Sequence, residues 1–140
     1  MRADFYLLTT DSAEERLLVA CRLLEKAYQR EHRVFVYCDN QNAAHTIDEL
    51  LWTFKAESFI PHNLQGEGPE PPPPIQIGHG EEPRGFNDIL LNLAITIPPF
   101  YARFKRVIEI IAATDPAKEI GREHYKTYRA YGLTLHTHKI

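Results

Sequence analysis

The sequence predicts an α/β fold, a single three-layer domain over residues 1–140 with a mainly parallel central sheet. The apolar runs DFYLLTT and RVFVYCD have the composition of buried strands, and an amphipathic segment at helical spacing follows each of them. Strands and helices that alternate in this way form parallel sheets with right-handed crossovers. A length of 140 residues also favours one domain around one hydrophobic core.

Two amphipathic helices are predicted in the first half of the chain. Asp11 or Ser12 can cap the first helix, and Glu14 and Glu15 lie in its first turn, where acidic side chains interact favourably with the helix dipole. The apolar residues of this helix recur at helical spacing: Leu17, Leu18, Cys21, Leu24 and Tyr28. In the second helix, over NQNAAHTIDELLWTF, the corresponding residues are Ala44, Ile47, Leu51 and Phe54.

Residues 58–74 are predicted to be extended and then irregular. SFIPH is a short extended piece closed by Pro61. NLQGEGPEPPPP is a surface loop, and its Gly/Pro-rich part covers residues 65–74. Glycines and consecutive prolines exclude a helix there, because they lack the required torsions and hydrogen bonds. The PPPP run is typical of a stiff spacer, an interpretation we prefer to a ligand for a proline-recognition domain.

The second half of the chain predicts further strands and one long helix. PIQIG, NDILLNLAI and RVIEIIA have strand composition, and PPFYARFKR is a short helical segment between the last two. Asp115 as N-cap, followed by Pro116, predicts the start of a helix that runs to Gly132. LTLHTHK then predicts a possible edge strand.

Charge is distributed unevenly along the chain. The formal net charge is −3, which argues against a protein coated by nucleic acid. Residues 1–70 carry −5 and residues 71–140 carry +2, so an anion-binding site is expected late in the chain. Cys21 and Cys38 are predicted to be buried thiols in a reducing environment. With no signal peptide or long apolar run, we expect a soluble cytoplasmic protein without membrane contact.

The sequence contains no recognisable motif for catalysis or cofactor binding. The turns TTDSAEER and DNQNAA lack phosphate-binding glycines, so the fold is expected to be Rossmann-like without a nucleotide-binding loop and to need no cofactor. His136 and His138 have strand spacing but no third ligand, so no metal site is predicted. His62 is expected to be a hydrogen-bonded side chain at a strand end and not a base, and Ser58 lacks the glycines of a nucleophile elbow. No enzyme activity is predicted for the chain by itself.

The adjacent acidic residues of the second helix also do not indicate catalysis. Asp48 and Glu49 point to different faces of the second helix, which makes them a poor acid–base pair. We expect both carboxylates to be solvated.

The last helix has two different faces. At about 100° per residue, Ile120, His124, Tyr128 and Tyr131 share an inner face that is predicted to be core. The outer face carries the stripe Lys118, Arg122, Tyr125 and Arg129, with Lys126 beside it. Tyr125 either covers the stems of its basic neighbours or lines a groove for an anionic peptide or a nucleic-acid strand, and spacing alone does not decide. Ile110 and Ile111 are expected to floor an apolar pocket beside these cations.

Trp52, Phe54 and Phe59 form an aromatic cluster where the second helix gives way to a strand. Most of the cluster is expected to be core. Any member that is exposed would form a hydrophobic patch of the kind that marks a partner interface.

The chain resembles the chi subunits of bacterial DNA polymerase III. The resemblance rests on the opening FYLL, the segment IDELLWTFKAESFIPHNLQGEG, the DILLNLA strand and the closing REHYKTYRAYG. It implies a non-catalytic accessory subunit of the clamp-loader complex. It also implies two partners, the psi subunit and the acidic, phenylalanine-ended C-terminal tail of single-stranded-DNA-binding protein, with DNA contacted only indirectly.

Carried over by position, the resemblance implies two sets of binding residues. The tail site falls on Lys118, Arg122, Tyr125, Lys126 and Ile111, with Arg129 as a possible further rim residue. The psi surface includes Phe59 and Trp52. Two departures stand out: His124 replaces what is often a basic residue, and the proline run 71–74 is not part of the family pattern. The alternative function is direct binding of single-stranded nucleic acid by the cationic stripe and Tyr125.

Overall fold

A central sheet of parallel strands organises the chain. The computed structural model describes residues 1–55 and 59–140, in which seven strands pair in the order β3-β4-β2-β5-β6-β1-β7, every pair parallel. The strands are β1 (Arg2–Leu7), β2 (Val34–Tyr37), β3 (His62–Leu64), β4 (Ile75–Gly78), β5 (Ile89–Asn92), β6 (Arg106–Ile111) and β7 (Thr134–Lys139). The helices are α1 (Ala13–Gln29), α2 (Gln41–Thr53) and α3 (Asp115–Ala130), and a 3₁₀ turn covers Tyr101–Arg103.

Helices cover both faces of the sheet, so the predicted three-layer α/β fold is confirmed. One hydrophobic cluster packs α1 and α2 on the first face, with Leu24, Ile47 and Leu51 almost completely buried. A second cluster, which includes Phe5 and Tyr128, packs α3 and the 3₁₀ turn on the other face. Burial of apolar side chains in these two clusters supplies the main favourable free energy of folding.

Side-chain caps fix where each helix begins. The Ser12 hydroxyl accepts the Glu15 amide hydrogen bond at the start of α1, and the Asn40 side chain caps α2 in the same way. The prediction for α3 was wrong by one residue: the N-cap is Thr114, whose backbone is extended and whose hydroxyl accepts from Ala117. Pro116 still lies in the first turn, where its missing amide hydrogen is not needed.

The edge strand β3 corrects the prediction for residues 58–74. The strand begins at His62, after Pro61, and Asn63 and Leu64 pair with β4, although both were predicted to be loop residues. Three residues are too short to give a periodic signal, which is why the pattern placed the extended piece earlier. From Gln65 to Pro74 there is no helix or strand. Ser58 lies outside the described residues.

Both cysteines are buried, as predicted, and burial raises the pKa of each thiol to about 12. Neither thiol is therefore ionised near neutral pH. None of the helices in the described ranges is long and apolar enough to cross a membrane.

A buried carboxylate joins β7 to the rest of the sheet. Asp4 accepts hydrogen bonds from Arg2 (2.9 and 2.7 Å) and Arg106 (2.7 Å), and contacts His138 Nε2 at 2.8 Å. Burial alone would raise the Asp4 pKa, but these partners outweigh it and hold the pKa far below its usual value. His138 also stacks on Tyr6. His138 and His136 lie on the same face of β7 by strand alternation. The contacts of His138 with Asp4 and Tyr6 give it a structural role, because they attach the edge strand β7 to β1.

Candidate functional site

A pocket of about 460 Å³ lies at the carboxyl edge of the sheet, where β1, β6 and β7 end beside the first turns of α3. One wall consists of strand residues and the other of helix residues. We call Phe5, Leu7, Thr137 and Lys139 the strand wall, and Lys118, Gly121, Arg122 and Tyr125 the helix wall. Ile111, at the end of β6, lies between them. In parallel α/β sheets, ligands bind at this edge of the strands.

Gly121 brings the helix wall close to the sheet. A Cβ atom at this position would lie 3.0 Å from Ile111 Cδ1, closer than two carbon atoms normally pack. The missing side chain therefore lets α3 lie directly on β6 and leaves space for the pocket beside it. Ile111 lines this pocket as predicted, whereas Ile110 points to the opposite face of the sheet, into the cluster under α1 and α2.

Tyr125 is held at the rim of the pocket by the core beneath it. Its ring lies 5.4 Å from the ring of Phe5, centroid to centroid, and 36% of the residue remains exposed. Of the two interpretations that the sequence left open, the geometry favours an aromatic side chain that lines a groove. The packing on Phe5 fixes the orientation of the ring before any ligand arrives, which lowers the entropy cost of binding.

Three cations border the pocket: Lys118 and Arg122 on α3, and Lys139 on β7. The Arg122 guanidinium donates a hydrogen bond to Glu119 (2.8 Å), and this bond lowers the pKa of the Glu119 carboxyl. The other two predicted cations of the helix do not line the pocket. Lys126 lies 3.7 Å from Glu123 on the exposed side of α3, and Arg129 is exposed further along the helix.

A buried polar network fixes α3 on the sheet behind the pocket. Glu109 on β6 is 2% exposed and accepts hydrogen bonds from Tyr128 (2.7 Å) and Asn92 (2.9 Å). His124 contacts Glu109 through Nδ1 (3.0 Å) and the Ile95 carbonyl through Nε2 (2.7 Å). Since both ring nitrogens face acceptors, a doubly protonated imidazole satisfies every partner. The predicted core positions His124 and Tyr128 are therefore confirmed.

Protonation of His124 makes the stability of the fold depend on pH. Burial lowers the pKa of this imidazole, but the hydrogen bond and charge of Glu109, together with the Ile95 carbonyl, outweigh burial and raise it above 6.5. A raised pKa stabilises the fold fully below 6.5, and this contribution is lost as pH rises through the folded-state value. We expect the difference in free energy of unfolding between wild type and His124→Gln to shrink with rising pH.

Urea denaturation of both proteins from pH 5.5 to pH 9 measures this difference. A difference that stays constant or grows with pH would show that His124 is not charged in the folded protein.

The prediction that Tyr131 belongs to the inner face was wrong. Tyr131 follows the last helical residue, Ala130, and is 70% exposed. Its ring contacts Tyr101 at a centroid distance of 6.2 Å. The helical phase that places residues on one face ends where the helix ends, so a position beyond Ala130 does not follow it.

A second surface feature is an exposed aromatic pair beside the edge strand. Trp52 is 53% exposed and Phe59 is 65% exposed, and their rings lie 5.7 Å apart. Trp52 also packs on the His62 ring, at 4.4 Å. The structure thus brings the two residues of the predicted psi surface together, about as far along the sheet from the pocket as the strand order allows.

His62 is buried and hydrogen-bonded at the start of β3, as predicted. Its Nδ1 lies 2.6 Å from the Ile60 carbonyl, and its Nε2 lies 3.1 Å from the Asp48 carbonyl. The Asp48 carboxylate is 3.3 Å from the same Nε2. Asp48 was predicted to be solvated, but its side chain is 19% exposed, and burial raises its pKa. The ring of His62 thus has a structural role, because the Trp52 ring packs on it.

Sequence reasoning missed most of the strand wall. Phe5 and Leu7 belong to an apolar run, so their residue types do not show which face of the sheet carries a pocket. Lys139 lies in a segment that was predicted only as an edge strand. The available signal was the register of parallel strands, which places the ends of β1, β6 and β7 side by side. Within the described part of the chain, no group of three or more His, Cys, Asp or Glu side chains is arranged to hold a metal ion.

The fold and the pocket together define a class of protein. A parallel three-layer sheet carries an apolar, cation-bordered pocket at its carboxyl edge, and the turn after β1 contains no glycine. The chain is thus a Rossmann-like α/β protein without a phosphate loop.

Comparison with known proteins identifies the family. Residues 1–136 match the family model described as DNA polymerase III chi subunit, HolC. Three relatives named DNA polymerase III subunit chi are similar along nearly their whole length. The Pseudomonas aeruginosa protein is 35% identical over 99% of this chain and 96% of its own. The Escherichia coli protein is 36% identical over 96% of this chain and 95% of its own. The Haemophilus influenzae protein is 34% identical over 99% of this chain and 96% of its own.

The chain belongs to the DNA polymerase III chi subunit family. It is therefore an accessory subunit of the replication machinery, as the sequence motifs indicated.

Proposed function

We propose that this chain is a non-catalytic subunit that links the clamp-loader complex of DNA polymerase III to single-stranded-DNA-binding protein, by capturing the acidic C-terminal tail of that protein. One observation carries the proposal: Lys118, Arg122 and Tyr125 border a single apolar pocket of about 460 Å³. A pocket of this kind suits a ligand that has both an apolar ring and carboxylates. A peptide that is acidic and ends in phenylalanine has both.

The chemistry of the pocket gives an affinity range for the tail. The phenylalanine ring packs against the surface that Tyr125, Phe5 and Ile111 form, and burial of one aromatic side chain contributes about 1.5–3 kcal/mol. Two charge-assisted hydrogen bonds from the rim contribute roughly 1.5–3 kcal/mol each. Ordering of a flexible tail opposes both contributions. The balance corresponds to micromolar or weaker binding, since a Kd of 1 μM is about −8 kcal/mol, as suits a reversible link.

The alternative function, direct binding of single-stranded nucleic acid, has less support. A net charge of −3 opposes contact with a phosphate backbone along a broad surface. Tyr125 packs its ring on Phe5 and leaves only 36% of the residue exposed, which restricts the free face that a stacking base needs.

Calorimetric titration separates the two functions. The chain is titrated with an acidic peptide that ends in phenylalanine and, separately, with a bare single-stranded oligonucleotide. Micromolar binding of the peptide, weakened by added salt, together with weak or no binding of the oligonucleotide, is the expected result. Tighter binding of the oligonucleotide than of the peptide would favour the alternative.

The second partner is the psi subunit, which we propose binds on the exposed pair Trp52 and Phe59. Exposed, adjacent aromatic rings are frequent anchors of protein interfaces, and a Trp anchor often contributes 2 kcal/mol or more. The ring of Trp52 is already positioned by His62 at 4.4 Å, so it loses little freedom on binding.

Trp52→Ala is expected to weaken psi binding by about 30-fold, which corresponds to roughly 2 kcal/mol. Analytical size-exclusion chromatography and calorimetry with purified psi subunit measure the change. Tyr131→Ala is the matched control, because Tyr131, directly after α3, is also an aromatic residue that is more than half exposed, at 70%. Equal affinities for the Trp52 variant and wild type would remove Trp52 from the interface.

A further inference from the structure

We propose that Lys139, on the strand wall, is a further binding residue of the pocket and contacts a second carboxylate of the captured peptide. This inference rests on the proposed function and deepens it, because it specifies which peptides the pocket selects. The preferred ligand carries two carboxylates beside its terminal ring, one for each wall. The terminal carboxylate and an acidic side chain near it supply them.

The register of the sheet determines the position of Lys139. In the parallel pair of β1 and β7, Phe5 is opposite Thr137 and Leu7 is opposite Lys139. Side chains two residues apart on a strand share one face, and all four of these line the pocket. Lys139 therefore lies at the open end of an apolar surface made by Phe5 and Leu7. A ring that packs on this surface brings the groups attached to it towards Lys139.

The pairing of the charges points to the same residue. Arg122 already has a carboxylate partner, Glu119, at 2.8 Å. Among the described residues, no carboxylate lies within ion-pair distance of Lys118 or Lys139. The pocket thus has one unpaired ammonium group on each wall, both next to apolar surface. An ammonium group without a carboxylate partner can bind one without first losing another ion pair.

A purely structural role does not account for Lys139. Its side chain is exposed, and the edge strand that carries it is held by backbone pairing with β1 and by the contact of His138 with Asp4. Removal of the ammonium group should therefore leave the fold intact. Lys139→Ala removes the charge and the stem that carries it, whereas Lys139→Arg keeps a cation at the same position of the pocket.

Calorimetry with an acidic peptide that ends in phenylalanine tests the proposal on four purified proteins. Lys139→Ala is expected to bind the peptide about three- to tenfold more weakly than wild type, and Lys139→Arg to retain wild-type affinity. Lys105→Ala is the matched control. Lys105 is also an exposed lysine, but it directly precedes β6 and so lies at the amino ends of the strands, away from the pocket. Thermal unfolding, followed by circular dichroism, confirms that the variants are folded.

The outcomes are distinct. A loss with Lys139→Ala that is absent from Lys105→Ala and from Lys139→Arg supports the role of Lys139. If wild type binds and Lys139→Ala binds equally well, the inference is overturned while the proposed function stands. If wild type itself does not bind the peptide, both are overturned.

Discussion

Arg122→Ala is expected to weaken binding of an acidic, phenylalanine-ended peptide by roughly 10- to 100-fold, which corresponds to the loss of a charge-assisted hydrogen bond of about 1.5–3 kcal/mol. Arg122 extends from the helix wall at the rim of the pocket, one turn before Tyr125. The guanidinium can bind a carboxylate through two parallel hydrogen bonds, which an ammonium group cannot do. Calorimetric titration at low and at physiological salt measures the change.

A matched control for this substitution lies on α1. Arg22 is similarly exposed and has a single carboxylate neighbour, Glu15 at 3.5 Å, on the opposite face of the sheet. Arg22→Ala removes the same charge far from the pocket and should bind the peptide as wild type does. If both variants lose affinity equally, the effect comes from net charge alone. If neither does, Arg122 is not part of the site.

The second large effect is expected from Glu109→Ala, which should lower the free energy of unfolding by about 3–5 kcal/mol. The substitution removes the carboxylate that accepts hydrogen bonds from Tyr128 and Asn92 and that contacts His124. The side chains of these three residues then stay buried without that hydrogen-bond partner. Because unpaired buried polar groups cost more than a lost surface contact, the loss should exceed that of any exposed ion pair. Urea denaturation followed by circular dichroism measures the loss.

Glu123→Ala serves as the comparison for Glu109→Ala. Glu123 lies on the exposed side of α3 and is 3.7 Å from Lys126, so its removal should cost less than about 1 kcal/mol. Equal stabilities of the two variants would show that the buried network does not hold α3 on the sheet.

The architecture could be predicted because it depends on local patterns. Apolar runs, helix caps and the alternation of strands with helices are each visible within a few residues, and together they specify a parallel α/β fold. The inner face of α3 followed in the same way, since His124 and Tyr128 recur at helical spacing. Both residues are buried in the structure.

What could not be predicted depends on contacts between distant segments. Glu109 lies in the apolar run RVIEII, and nothing nearby in the sequence indicates that Asn92 and His124 surround it. Lys139 joins the pocket only through the pairing of β7 with β1. The strand β3 is defined by its neighbour β4 and is too short to have its own pattern.

The location of the pocket also fits the proposal that a Rossmann-like fold here binds a peptide and not a nucleotide. Ligands of parallel α/β sheets bind at the carboxyl ends of the strands. Here the turn after β1 carries acidic residues in place of glycines, which disfavours phosphate. The cations lie instead on α3 and β7, on either side of apolar surface. This arrangement supports the proposal that the same edge of the fold binds a peptide that has both carboxylates and a ring.

The most direct test of the account uses the intact partner. The chain is titrated by calorimetry with the single-stranded-DNA-binding protein of the same organism and with a version that lacks only its C-terminal tail. We expect saturable micromolar binding of the intact protein and no binding of the shortened one. Equal binding of both versions, or no binding of the intact protein, would contradict the proposal that this pocket captures the tail.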